Sequence, residues 1–187
     1  VALLYSWSRC PTQWSQTVKH SAVILLFGFL GCISPNQGPA HSAPPSPQLD
    51  TEKEAVAKLL NAFHDAASKA DGDRYFNYFA PEGVFIGTDA TERWTLEQFR
   101  TFCEPYFSKG KGWTYVPTER HVMVSSDGTT AWFDERLHNE KYGATRGSGV
   151  LIKSTGQWKL AHYVLSFPIP NAIAGEVIGM IREASQV

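Results

Sequence analysis

Four strand-length segments follow one another at residues 113–125, 129–138, 145–154 and 157–167. They are separated by Asp127 with Gly128, by a turn through Gly143, and by Ser154 to Gly156. Hairpin signals in series of this kind predict an antiparallel meander, because each turn reverses the chain and sets the next strand beside the last. A sheet of that size must bury one face. What precedes it therefore has to supply the cover.

Helical periodicity supplies it. Thr51 with Glu54 forms a capping-box pattern, and Val56, Leu59, Leu60, Phe63, Ala67 and Ala70 then recur on one helical face, predicting a first helix to about Ala70. Asp71 to Asp73 break it, and Tyr75, Phe76 and Phe79 predict a second short helix stopping near Pro81, with Asp73 as its cap. A short strand is expected at Val84 to Gly87. Thr95 with Gln98 opens a third helix bearing Phe99, Phe102 and Cys103, which Pro105 should end or kink. After Pro168 and Pro170, the residues Ile173, Val177, Ile178 and Ile181 predict a terminal amphipathic helix. The pattern is α+β, with the helices gathered mainly ahead of the sheet.

The chain has 187 residues, 43% hydrophobic and 19% charged, with a formal net charge of -1. That balance suits one folded core and offers no basic footprint for nucleic acid. Of the three cysteines, Cys10, Cys32 and Cys103, only Cys103 falls among the periodic segments, so no internal disulfide framework is available. A single thiol on an apolar helix face reads as a small hydrophobe.

The N-terminal part reads differently. Residues 1–33 form a leader in which Lys19 precedes the apolar run Ser21 to Ile33, short for a membrane span and of the right length for a signal-peptide core. The run ends in Phe29, Leu30, Gly31 and Cys32, which resembles a bacterial lipobox with Cys32 as the lipidated residue. Cleavage nearby by signal peptidase I, or retention as an anchor, are the alternatives. Residues 34–49, rich in Pro, Ser and Gly, read as a flexible tether. The expectation is export, as a bacterial envelope lipoprotein tethered to a membrane through Cys32 or as a secreted or periplasmic protein, with the folded domain at 50–187.

The order of elements, together with YFNYFAPEGVFIGTD from Tyr75 to Asp89, AWFDE from Ala131 to Glu135, RGSGVL from Arg146 to Leu151 and WKLAHY from Trp158 to Tyr163, resembles the SnoaL-like domain family of the nuclear transport factor 2-like superfamily. The resemblance covers about residues 51–171. It implies a cone-shaped, strongly curved antiparallel sheet packed on N-terminal helices, the cystatin-like roll, with a cavity and a tendency to form homodimers. It does not specify a reaction.

Strand alternation sorts the polar residues, since a strand lysine usually faces water. Lys159 outward puts Trp158, Leu160, His162 and Val164 inward. Lys153 outward puts Arg146, Ser148, Val150 and Ile152 inward. Arg136 outward puts Phe133, Glu135 and Leu137 inward. Glu135, Arg146 and His162 then become a candidate trio on three successive strands. Glu135 and His162 are the candidate catalytic pair, as base and proton carrier, and Arg146 is the clamp for an anionic oxygen. Trp113, Trp132, Tyr78 and Asp134 complete the candidate ligand-binding set. A structural ion pair between Glu135 and Arg146 with a core histidine is the competing reading.

Weaker signals surround these. His64, beside Leu60 and Ala67, has two readings, reaching the cavity or, the favoured one, a flanking surface histidine. Gly143, Gly147 and Gly149 lack the spacing of a phosphate loop and suggest curvature or close packing. The six histidines show no paired metal spacing, so neither a metal nor a cofactor is expected. Three functions remain open. The first is binding of a small, partly apolar or anionic molecule. The second is isomerase- or dehydratase-like chemistry through Glu135 and His162. The third is a homodimeric assembly module using Trp132 and Tyr163 on the outer sheet face.

Overall fold

The computed structural model describes residues 47–185. The leader, Cys32 and the tether up to residue 46 lie outside the described residues. The first helix, α1 (Pro47–Ser68), begins one turn before the expected Thr51 cap, so the last three residues assigned to the tether are helical. Proline suits that first turn, where its missing N–H has no partner to lose. The short helix α2 (Gly72–Asn77) is capped by Asp71, whose side chain accepts from the Arg74 amide, and not by Asp73.

Strand β1 (Phe79–Ile86) starts earlier than expected and accommodates Pro81 in an irregular stretch between Phe79 and Val84. The three-residue β2 (Arg93–Thr95), unforeseen in the sequence, pairs antiparallel with β1. It leads directly into α3 (Leu96–Phe107), whose capping box is formed on both sides, Gln98 N–H to Thr95 and Thr95 N–H to Gln98. Pro105 lies inside the last turn of α3 and does not end it. Buried Phe107 anchors that turn in the core.

The meander forms as expected, with β3 (Val116–Val124), β4 (Thr130–Asn139), β5 (Gly143–Ser154) and β6 (Gln157–Ser166) each antiparallel to the next. Gly128 and Gly156 take φ of +70° and +81° in their turns, a region open to glycine without steric cost. The sheet is curved and unclosed, in the order β2-β1-β6-β5-β4-β3, with β1 parallel to β6 and every other pair antiparallel. Helices α1 and α3 cover the inner face. The terminal α4 (Ala174–Ala184) buries none of its residues.

Burial on β4 alternates cleanly, with Ala131, Phe133, Glu135 and Leu137 inside and Trp132, Asp134 and Arg136 outside. On β5 and the second half of β6 the faces are the reverse of those expected. Thr145, Gly147 and Leu151 face inward and Arg146 is exposed, because Lys153 does not point to water. It lies on the helix face, where its ammonium donates to Glu52 of α1 at 2.6 Å. On β6, Trp158 and Leu160 are inside, but a bulge at Ala161 shifts the register. One extra residue inverts everything beyond it. Tyr163 and Leu165 are therefore buried, and His162 and Val164 turn to the outer face.

Candidate functional site

The most concentrated polar chemistry among the described residues is inside the sheet, around Glu135. Glu135 is 1% exposed. His64 Nε2 lies 2.7 Å from Oε1, the Tyr163 hydroxyl donates to the same oxygen at 3.1 Å, and Arg120 Nε donates to Oε2 at 2.7 Å. Arg120 Nη1 also donates to the Ala57 carbonyl and to Asn61 Oδ1 of α1, at 3.0 and 2.7 Å. Arg120 Nη2 is 2.7 Å from Oε2 as well, close enough for charge pairing but with no hydrogen-bond partner. The carboxylate thus ties the first helix to three strands.

Each partner has a local reason for its position. Arg120 sits directly opposite Glu135 across β3 and β4. His64 is carried into the core by the same α1 face that buries Leu60, Phe63 and Ala67, and is 7% exposed, not a surface residue. Tyr163 faces inward because of the Ala161 bulge. Gly147 lies opposite Glu135 on β5, and a Cβ there would sit 2.4 Å from the Tyr163 hydroxyl and 2.8 Å from Glu135 Oε1. Only glycine leaves room for the hydrogen bond.

Burial pushes the Glu135 carboxyl upward. The hydrogen bond and charge of His64, reinforced by Arg120, outweigh it and hold the group below its ordinary 4.5. Burial, aided by the Glu135 charge, raises Tyr163 far above its ordinary range, so the phenol stays protonated and donates. The folded Glu135 binds its proton less readily than the unfolded one. Its stabilisation is complete above pH 4.5 and is lost as pH falls below that value toward the folded pKa. Glu52, lowered by hydrogen bonds from Lys153 and Trp158, adds a contribution of the same sign. Thermal unfolding followed from about pH 7 to pH 3 should show a steep acid limb that flattens in Glu135→Gln. An unchanged limb in that variant would remove Glu135 from the account of acid stability.

A separate feature is the pocket beside this network, about 240 Å³, walled by nine aromatic side chains, among them Phe85, Trp94, Phe99, Phe102, Trp113 and Tyr115. Near-parallel rings run from the network toward the mouth. Tyr163 stacks on Phe85 at 5.4 Å, Phe85 on Phe99 at 4.0 Å, Phe99 on Trp94 at 5.6 Å and Trp94 on Phe102 at 4.7 Å. Thr88 and Glu92 supply polar groups, and among the described residues no Lys, Arg or His lines the space. A void of about 20 Å³, enough for one water, is bounded by Phe85, Trp113, Tyr115 and Leu165 of this pocket and by His64 and Tyr163 of the network.

The sequence candidates divide accordingly. Glu135 is at the centre of the network and Trp113 lines the pocket. Arg146, His162, Trp132 and Asp134 are on the outer face, apart from both. The expected trio is therefore not assembled, and its arginine and histidine places are taken by Arg120 and His64. Tyr163, placed on the outer face in the assembly reading, is inside. Tyr78 caps α2 and its carbonyl accepts from the Leu160 amide. Arg120 was detectable, since it shares strand parity with Val122 and Val124. Cys103 is fully buried with its thiol pushed up to about 12 by burial, so it stays protonated and inert. No group of three or more metal-ligating side chains occurs among the described residues.

A family model for the SnoaL-like domain matches residues 56–170, which contain the whole network and the whole described pocket wall. The chain belongs to the SnoaL-like domain family. Solved structures similar to this SnoaL-like domain share its nuclear transport factor 2-like or cystatin-like fold. One is a nuclear transport factor 2-like protein of unknown function from Pseudomonas putida KT2440, 14% identical, covering 65% of this chain and 90% of its own, with a TM-score of 0.56. A cystatin-like fold protein of unknown function from Nostoc punctiforme is 17% identical, covers 64% and 94%, and has a TM-score of 0.53. A function-unknown protein of Mycobacterium tuberculosis, solved as a single-residue variant, is 16% identical, covers 72% and 82%, and has a TM-score of 0.58. No curated protein sequence matches significantly. Identities this low speak for the fold of the SnoaL-like domain alone.

Proposed function

We propose that this SnoaL-like domain binds a small, flat, largely apolar molecule in the aromatic pocket between β1, α3 and the start of β3. The observation that carries the reading is the ring-lined wall, with Phe102 and Tyr142 at 41% and 49% exposure near the opening. Burying such rings against a ligand face is favourable, and offset stacking adds to it. A space of about 240 Å³ suits one or two fused rings. With Glu92 at the wall and no cation there among the described residues, a neutral ligand or one with a positive group is favoured over the anion considered from sequence.

Proton transfer by Glu135 is the weaker reading, since its oxygens are engaged by His64, Tyr163 and Arg120. An acid or base role would fall to His64, held through Nε2 by Glu135 and bordering the void behind the pocket. Export and tethering through Cys32 place the binding domain outside the cytoplasm in this proposal.

Trp94 and Trp113 both line the pocket, so ligand entry should change intrinsic fluorescence. A panel of one- and two-ring compounds titrated into the protein should include at least one with saturable quenching. Its affinity should fall about 2- to 10-fold in each of Phe102→Ala and Tyr142→Ala, which truncate rings near the mouth. Equal affinity in wild type and both variants would place binding elsewhere and sink the proposal.

A further inference from the structure

Neither the network nor the aromatic pocket uses the arginines of the outer face. Arg136 and Arg146 face each other directly across β4 and β5, both exposed. Like charges in directly opposed cross-strand positions repel, and an arginine cannot shed its charge to relieve this. Arg136 has one weak acidic neighbour, Glu119, at 3.4 Å. No acid pairs with the Arg146 guanidinium among the described residues. Asp134, also on this face, lies beside His121 at 3.7 Å.

The two arginines border a hollow. A cavity of about 330 Å³ opens there, lined by Thr118, Arg136, His138, Arg146 and Pro168, with Ala144 among its lining residues. Ala144 stands opposite His138, so a methyl group is all that fills that position of the neighbouring strand. Thr118 is the irregular residue between Pro117 and Glu119 on β3. The hollow therefore gathers two permanent cations, an imidazole and the Thr118 hydroxyl from three strands, and no carboxylate among the described residues lines it. The hydroxyl itself donates to the Arg136 carbonyl at 3.2 Å. Guanidinium forks match the paired oxygens of phosphate and carboxylate.

We propose that this hollow is an oxyanion site, with Arg136 and Arg146 clamping the phosphate group of a small molecule and His138 donating a further hydrogen bond. The opposed arginines are the signature of a site whose repulsion is relieved when the anion arrives. The site is independent of the aromatic pocket, so either proposal can fail without the other.

The test is calorimetric titration of the full chain at low ionic strength with inorganic phosphate, then with glycerol phosphate and with anionic vesicles. Wild type should bind phosphate saturably, and phosphate should raise its Tm. Arg146→Gln and Arg136→Gln should each weaken binding about tenfold or more. Without phosphate, Arg146→Gln should melt at or above the wild-type temperature, which separates lost binding from lost folding. Lys159→Gln, which removes a cation elsewhere on the sheet, should bind as wild type does. Tighter binding of glycerol phosphate than of vesicles identifies a soluble phosphoester, and the converse a lipid headgroup. The absence of saturable phosphate binding, or an equal loss in Lys159→Gln, would overturn the proposal.

Discussion

Glu135→Ala is expected to destabilise the domain by about 3–5 kcal/mol, the usual cost of stranding the partners of a buried ion pair. Arg120, His64 and Tyr163 would all face a cavity with no acceptor, and Arg120 would keep its charge at low exposure. For a domain of this length that corresponds to a fall in Tm of roughly 10–20 °C. Glu135→Gln, which keeps the volume and one acceptor oxygen, should cost less. Glu135→Leu combined with Arg120→Met should recover part of the loss, because a packed apolar pair needs no desolvation compensation. Thermal and denaturant unfolding of the four proteins decides the matter. A loss below about 1 kcal/mol in Glu135→Ala would mean that the network does not hold the fold, and the case for Glu135 as a reactive group would reopen.

Gly149→Ala is the second large effect. Its Cβ would fall 2.2 Å from the His162 carbonyl oxygen, beside the Ala161 bulge, and 3.0 Å from a ring carbon of Phe133. A backbone carbonyl cannot rotate away, so β5 and β6 would have to part, at a cost of about 3 kcal/mol or more. Gly147→Ala meets side-chain atoms instead, and about 1–3 kcal/mol is expected. The two differ in a measurable way. In a Tyr163→Phe background the closest atom to the Gly147 Cβ is gone, so the two substitutions should couple by about 0.5–3 kcal/mol, whereas no side-chain truncation should rescue Gly149→Ala. Additive costs for Gly147→Ala and Tyr163→Phe would show that the hydroxyl does not set the requirement for glycine.

Much of this was legible in advance because it is local. The capping box at Thr95 and Gln98 and the turn glycines at 128, 143 and 156 involve residues close in the chain. The strand alternation of Ala131 to Leu137 has the same local character. The local pattern misleads where a distant partner or a single bulge sets the orientation of a whole strand. Lys153 could face the helices because Glu52, 101 residues earlier, is there to accept its hydrogen bond. His162 was lost to the outer face through a single bulged alanine, which leaves no mark in a hydrophobic pattern. The same bulge brought Tyr163 to Glu135.

The amino-acid sequence by itself determined the element order, the meander, the membership of the SnoaL-like family and the inward position of Glu135, since periodicity and turn chemistry act over a few residues. Only the tertiary structure decided which arginine and which histidine meet Glu135. It also decided that Arg146 and Arg136 share an outer hollow and that a separate aromatic pocket opens beside the network. Those outcomes depend on strand register and helix docking, where one inserted residue or one distant carboxylate reverses a face at little local cost.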